Sequence, residues 1–193
     1  MRILYRFGQF WRALFDTPAP DDLELAQQKL SPPLLALFLR QSASEQAHSF
    51  SILRRLCEQG DVHEDLMLAA LLHDVGKSRY PLHLWQRVLI VLAKVLFPQR
   101  AKAWGVGEYE FWKKPFVVAE QHAAWGAEMA ERAGASALAV NLIRRHQDPL
   151  SFSPIMNDKS IHKVINMDGK VETGPASLED ELLYRLIILD DES

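Results

Sequence analysis

The sequence predicts an all-α fold, a helical bundle of about eight helices, on two observations. Apolar residues recur with the helical period along almost the whole chain. The segments that carry this period are bounded by residues that typically begin or end helices. One stretch, 147–175, departs from the pattern, because it is rich in Ser, Pro, Asn, Asp and Gly. It predicts a small hairpin near 160–173, around Asp168-Gly169.

The predicted helices have recognisable ends. Asp21 precedes the first helix of the main domain, and Gly60 follows the third. The segment 65–73 is apolar on every side, which is typical of a buried helix. Pro115 suits a first helical turn and Ser136 suits an N-cap. The predicted helices span 23–30, 34–40, 44–59, 65–73, 85–97, 116–133, 136–146 and 177–189.

The chain divides into a predicted N-terminal amphipathic helix, 1–20, and one domain, 21–193, with a helical insertion at about 82–114. Residues 1–15 mix arginines with aromatic residues and lack the unbroken apolar core of a signal peptide. A membrane-surface or homodimer contact through 1–15 or 85–97 is one interpretation of these two segments. Packing of the two segments on each other and on the domain is favoured over it.

Composition excludes several classes of protein. The chain of 193 residues is 48% apolar, enough for a core without disulfides, and Cys57 is its only cysteine. The net charge of −3 gives no reason to expect nucleic-acid binding. No apolar run reaches the length of a membrane span. The sequence therefore predicts a cytoplasmic protein.

Metal-ligating residue types end or interrupt several of the predicted helices. His73-Asp74 closes the buried helix 65–73, where both side chains are costly to bury without partners. On its own this dipeptide more often marks a helix end with a half-exposed histidine. A divalent ion would satisfy both side chains. The neighbouring helices supply four further candidates, as bundles with two metal ions do, and these are His48, His122, His146 and Asp190.

The sequence around these residues resembles the HD-domain superfamily of metal-dependent phosphohydrolases, and within it the HDIG-type branch. The segment 71–77, Leu-Leu-His-Asp-Val-Gly-Lys, matches that branch's signature with Val75 in place of Ile. A second match begins His122-Ala-Ala-Trp-Gly-Ala and continues to a helix that ends at His146. The resemblance spans His48 to Asp190 and implies an HD-domain helical bundle.

The resemblance also implies roles for individual residues. Asp74 and Lys77 would be catalytic, with Lys77 near the substrate phosphate, and a metal-activated hydroxide would attack a small phosphorylated metabolite or nucleotide. Arg144 and Arg145 could bind the substrate phosphate, although helix-end arginines that complement the helix dipole are an equal alternative. The implied ligands are His48, His73, Asp74 and Asp190 for one divalent ion, and Asp74, His122 and His146 for a second.

Some points stay open at this stage. The adjacent Asp190 and Asp191 leave the last ligand ambiguous by one residue, and Asp190 is chosen because it follows an apolar run. The ligand set accepts Mn, Fe, Co, Ni or Zn, and one or two ions. The insertion 82–114 could form a lid over the site and set the choice of substrate.

Departures from the family pattern narrow the function. Gln147 stands where phosphodiesterases of cyclic dinucleotides carry a second histidine, and their GYP motif is absent, which disfavours a cyclic-di-GMP phosphodiesterase. A mixed-valent diiron oxygenase of the same fold is an alternative, but Leu150 occupies the region where those enzymes carry a lysine. A non-catalytic metal- or nucleotide-binding signalling module is a third interpretation.

Overall fold

A computed structural model of the chain describes residues 16–60, 63–106, 110–149, 152–153, 162–165, 171–174 and 177–192. The predicted all-α fold is confirmed, since helices make up most of the described residues. The α-helices are α1 (Pro20–Lys29), α2 (Pro32–Phe38), α3 (Ala43–Glu58), α4 (Glu64–Leu72), α5 (Leu84–Leu96), α6 (Pro98–Val106), α7 (Lys114–Arg132), α8 (Ala137–Arg145) and α9 (Leu178–Glu192), and Val75–Arg79 form a 3-10 helix.

The core forms around α4. This helix contacts α3, α8 and α9, so it is enclosed on several sides, as its uniformly apolar sequence predicts. Leu71 and Leu72 near its end are fully buried, and Phe50, Leu142 and Leu186 pack against them from the other helices. The core therefore extends to the C-terminal end of α4, where His73 and Asp74 follow.

Two helices begin earlier than predicted, each at a proline. The predicted helix 34–40 corresponds to α2, which begins at Pro32, because proline is compatible with the first turn of a helix. α1 likewise begins at Pro20, and its Asp22 carboxylate accepts a hydrogen bond from the Ala19 amide. Ser136 is the predicted N-cap of α8, and its hydroxyl accepts a hydrogen bond from the Ala139 amide.

The segment 82–114 is more helical than the sequence indicated. The apolar helix α5 agrees with the predicted helix 85–97, whereas α6, which includes Gly105, lies between the predicted helices 85–97 and 116–133. Gly105 lies against α7, and a Cβ built on it would lie 2.7 Å from the Phe116 carbonyl oxygen. This glycine therefore allows close helix packing instead of interrupting a helix.

The expected hairpin is present as backbone pairing. Strand β2 (His162–Ile165) pairs antiparallel with β3 (Val171–Gly174), and the short β1 (Phe152–Ser153) pairs with β2 on its other side. Of the predicted N-terminal helix, residues 1–15 lie outside the described part, and residues 16–19 precede α1 without regular structure. Among the described helices, none has the length and apolar character needed to cross a bilayer.

Candidate metal centre

The structure brings all six predicted ligand residues to one place. His48 lies in the middle of α3, His73 caps the end of α4, and Asp74 begins the turn into the 3-10 helix. The remaining three come from α7, from the end of α8 and from α9, and they are His122, His146 and Asp190. Residues from five helices and one turn thus meet next to the C-terminal end of α4.

One half of the cluster joins α3, α4 and α9. The Nε2 atom of His48 lies 2.8 Å from the Oδ1 atom of Asp190. The Nε2 atom of His73 lies 3.5 Å from the same carboxylate oxygen and 3.6 Å from Oδ2 of Asp74. Asp190 therefore lies within this group, whereas the side chain of Asp191 is exposed, so the geometry favours Asp190 over its neighbour.

The other half of the cluster joins the same turn to α7 and α8. The Oδ1 atom of Asp74 lies 3.2 Å from Nε2 of His122 and 3.9 Å from Nε2 of His146. Potential ligand atoms of His48, His73 and Asp74 lie within 4.8 Å of one another, and so do those of Asp74, His122 and His146. Asp74 is the residue that the two groups share.

Three of the imidazoles are held in one orientation. The Nδ1 atoms of His73, His122 and His146 lie 3.0, 3.0 and 2.7 Å from the carbonyl oxygens of Ala70, Val118 and Ile143. A carbonyl oxygen can only accept a hydrogen bond, so each Nδ1 atom must carry the proton. In the neutral form of each ring, the Nε2 atom then presents a lone pair to the carboxylates, as metal-ligating histidines do.

These lone pairs need a cation. The Nε2 atoms of His73 and His122 are buried, and neither has a hydrogen-bond partner within the described residues. A lone pair and a carboxylate oxygen at such short range repel each other unless a positive charge lies between them. Each half of the cluster offers two imidazole rings and the shared carboxylate of Asp74, and these are ligands that a divalent transition metal accepts. The residues present therefore fit one or two such ions.

The pKa shifts agree with this requirement for positive charge. Although burial alone lowers the pKa of His73, the carboxylates of Asp74 and Asp190 outweigh it and raise the pKa to about 9, so without a bound cation this ring takes up a second proton, which a metal ion would replace. Burial disfavours the charged form of Asp74, but Lys77 and His73 hold the pKa of its carboxyl well below the usual value. Burial and the charge of His73 lower the pKa of His146 to about 3. Asp74 is therefore ionised and His146 neutral, as metal ligation requires.

Two glycines bring the halves of the cluster together. A Cβ built on Gly76 would lie 1.9 Å from the carbonyl oxygen of His122, so only glycine fits where the 3-10 helix meets α7. Gly126 lies on the other side of the same contact, and a Cβ on it would lie 3.2 Å from the Gly76 amide nitrogen. Gly76 follows His73-Asp74 in the first sequence motif, and Gly126 follows His122 in the second. The close contact between these two glycines thus holds Asp74 next to His122.

A comparison with known families agrees with this architecture. The family model of the HD domain matches residues 47–186, which include both motifs and every predicted ligand except Asp190. The chain belongs to the HD-domain family. HD domains bind divalent metals and form a superfamily of metal-dependent phosphohydrolases. No curated protein and no solved structure shows a significant match to the chain.

The cluster of this HD domain lies at one side of a pocket of about 320 Å³. Lys77 lines the pocket, and its ammonium group lies 2.5 Å from Oδ2 of Asp74. Burial works against its charge, but Asp74 and the nearby Glu45 raise the pKa of Lys77 above its usual value. The predicted phosphate-binding lysine is therefore charged and next to the shared carboxylate.

Helix α5 forms a second wall of the pocket, with two cations that sequence reasoning missed. Arg87 lines the pocket and donates a hydrogen bond of 2.9 Å to the buried carboxylate of Glu45, while the exposed Lys94 lines it two helical turns further on. Ile90 and Val91 lie between them on the same side of α5. The spacing of 87, 90, 91 and 94 places these residues on one helix face, but the period alone does not show that this face lines the pocket.

The structure does not bring Arg144 and Arg145 to the pocket. Arg144 is exposed at the end of α8. The guanidinium of Arg145 lies 2.7 Å from Glu179 and 3.2 Å from Asp180, so it ties α8 to the start of α9. Neither arginine is among the residues that line the pocket. The predicted role of these two residues in substrate binding has no support in the geometry.

Proposed function

We propose that this HD domain is a metal-dependent phosphohydrolase, of the HDIG-type branch, that acts on a small phosphorylated metabolite or nucleotide. The observation that carries the proposal is the pair of His/Asp groups sharing Asp74 at one side of a pocket open to small molecules. An unspecific structural role would not require three buried imidazoles whose Nε2 lone pairs converge on one carboxylate. Phosphoryl transfer does require concentrated positive charge at such a place.

The metal ions would be held by the two groups of residues described above. When bound, they would supply Lewis acidity and lower the pKa of a water molecule, which makes a nucleophile available near neutral pH. The shared carboxylate of Asp74 would fix the two sites relative to each other. Neutral His146, with its Nδ1 proton held by Ile143, is already in the form that ligation requires.

The chain's own cations would bind and orient the phosphate. Lys77 lies beside Asp74 and would place a positive charge next to the reacting group. Arg87 approaches the pocket from the opposite helix, and its guanidinium is oriented by Glu45. A planar guanidinium binds two phosphoryl oxygens at once, so Arg87 would fix the orientation of the substrate, and Lys94 would add charge along the same wall.

The remaining lining suits an organic group attached to the phosphate. Leu82, Ile90, Val91 and Val118 line the pocket together with the charged residues. A volume of about 320 Å³ is at the lower end of the range for small-molecule sites, so the substrate would be compact. Segment 82–114 thus contributes to the pocket, in accordance with its predicted role in substrate choice.

A screen of phosphomonoesters, nucleotides and cyclic nucleotides with added Mn²⁺, Co²⁺, Ni²⁺ or Fe²⁺ tests the proposal. We expect metal-dependent release of phosphate or of a nucleotide product, abolished in Asp74→Asn and retained in Asp191→Asn. Both variants change an aspartate to asparagine, but Asp74 is buried in the cluster, whereas Asp191, next to Asp190 in the sequence, is exposed. Equal activity of wild type and Asp74→Asn across the screen would contradict the proposal, and oxygen consumption by iron-loaded protein would favour the oxygenase instead.

A further inference from the structure

Helix α5 has an apolar side that faces away from the pocket. Trp85, Leu89, Leu92 and Leu96 follow one another at intervals of four, three and four residues, so they form one stripe along the helix. Their exposures are 62%, 38%, 48% and 63%, whereas Gln86 and Ala93 on the packed side are buried. Within the part of the chain that the structure describes, no other element packs over this stripe.

The stripe continues beyond α5. Phe111 and Trp112 are exposed, and they line an apolar cleft of about 370 Å³ together with Trp85 and Leu89. We call these residues the apolar face: Trp85, Leu89, Leu92, Leu96, Phe111 and Trp112. A contiguous exposed surface of large apolar side chains is uncommon on a soluble domain and marks an interaction site.

Cations lie at the edge of the apolar face. The guanidinium of Arg100 lies 6.0 Å from the ring of the exposed Phe97, and the ammonium group of Lys113 lies 5.3 Å from the ring of Trp112. Lys113 also forms an ion pair of 3.0 Å with Glu110. Residues 81–114 contain six Lys or Arg against two Glu, but two of these cations, Arg87 and Lys94, line the pocket on the other side of α5. The other four still outnumber the two acids, although the whole chain has a net charge of −3, and Arg100 and Lys113 among them place positive charge at the edge of the apolar face.

We propose that the apolar face docks on the surface of an anionic lipid bilayer. A face of Trp, Phe and Leu with a basic edge inserts its apolar side chains at the level of the headgroups, while the cations contact anionic lipids. Indole rings are suited to this depth because they are apolar but can donate a hydrogen bond. α5 has 13 residues, too few to cross the bilayer, so it would lie along the surface.

The distribution of charge favours this partner over a second copy of the chain. A two-fold dimer through the apolar face would bring the same surface of each subunit together, and Arg100 and Lys113 would face their own copies or one another. Segment 1–15 is also a poor cover, because its charged residues are Arg2, Arg6 and Arg12 and it has no acid. Its positive charge and aromatic residues suit the same anionic surface.

Sedimentation of the full chain with lipid vesicles tests the proposal, and needs neither metal nor turnover. We expect binding to vesicles of equal parts phosphatidylcholine and phosphatidylserine, and at least about tenfold weaker binding to phosphatidylcholine alone or in 0.5 M salt. The double variant Leu92→Gln/Leu96→Gln should bind at least about tenfold more weakly. Leu39→Gln/Leu178→Gln removes two equally exposed leucines elsewhere and should bind as wild type.

A second variant pair tests the charged edge separately. Arg100→Gln/Lys113→Gln keeps the apolar face and should lose affinity for the anionic vesicles only. Wild-type protein that stays in the supernatant with anionic vesicles would overturn the proposal. If the protein binds no vesicles but forms a dimer in solution, and Leu92→Gln/Leu96→Gln dissociates that dimer, the proposal would also be overturned. The apolar face would then bind a second copy of the chain. None of these outcomes bears on the proposed hydrolase activity, which the metal screen tests independently.

Discussion

The two walls of the pocket are built in opposite ways. The wall that carries Asp74, His122 and His146 is almost wholly buried, and both imidazoles are fixed by a backbone carbonyl. The wall on α5 belongs to a helix that is buried on one side only and presents the half-buried Arg87. A rigid wall with ligand groups suits the chemical step, whereas a wall on a partly exposed helix suits the selection of substrates.

The largest effect should come from breaking the ligand wall. His122→Gln removes an Nε2 atom that lies 3.2 Å from Asp74. We expect kcat to fall by about 10³-fold, since a metal ion supplies several kcal/mol of transition-state stabilisation. His83→Gln is the matched control, because His83 precedes α5 on the exposed surface and should leave kcat unchanged. Equal kcat values for the two variants in a metal-dependent phosphatase assay would show that His122 is not a ligand of the metal centre.

A change in packing should break the same wall without touching a ligand. Gly76→Ala places a Cβ against the His122 carbonyl oxygen, and we expect a loss of about 3 kcal/mol in the free energy of unfolding. Gly60→Ala meets no atom within 4 Å, and only its positive φ of 79° opposes the substitution, so it should cost about 1 kcal/mol. Thermal or urea unfolding of the two variants measures the difference. A larger loss in the free energy of unfolding for Gly60→Ala than for Gly76→Ala would contradict the close contact at Gly76.

An intermediate effect should come from the α5 wall. Arg87→Gln removes the guanidinium and leaves the buried Glu45 without this partner. We expect kcat/KM to fall by about 10- to 100-fold, mainly through KM, with the metal content unchanged. Arg87→Lys keeps the charge and should recover part of the loss. A fall in kcat alone, with equal loss in both variants, would place Arg87 in the chemical step instead of in substrate binding.

The smallest effect should lie outside the pocket. Arg145→Gln breaks contacts with Glu179 and Asp180 that are partly exposed to solvent. We expect a loss of no more than about 1 kcal/mol in the free energy of unfolding and unchanged KM. Arg144→Gln should change neither quantity. An increase in KM in either variant would restore the role in substrate binding that the sequence predicted.

The difference between the walls also explains what the sequence revealed. His73-Asp74 closes an apolar helix, and His122 precedes a Gly-Ala pair, so local patterns carry the ligand wall. In the sequence, Arg87 and Lys94 look like ordinary charged residues on an apolar helix. They line the pocket because of the way α5 packs against α7, and the helical period of α5 does not predict this tertiary contact. Packing also hid α6, whose Gly105 looked like a loop residue but lies in a helix contact.

Metal analysis of protein purified without chelators or an affinity tag tests the shared-carboxylate centre most directly. The account predicts two equivalents of divalent metal per chain in the wild type and in His83→Gln, and about one equivalent in His122→Gln, since only the group of Asp74, His122 and His146 loses a ligand. One equivalent or less in the wild type, or the same content in wild type and His122→Gln, would contradict it.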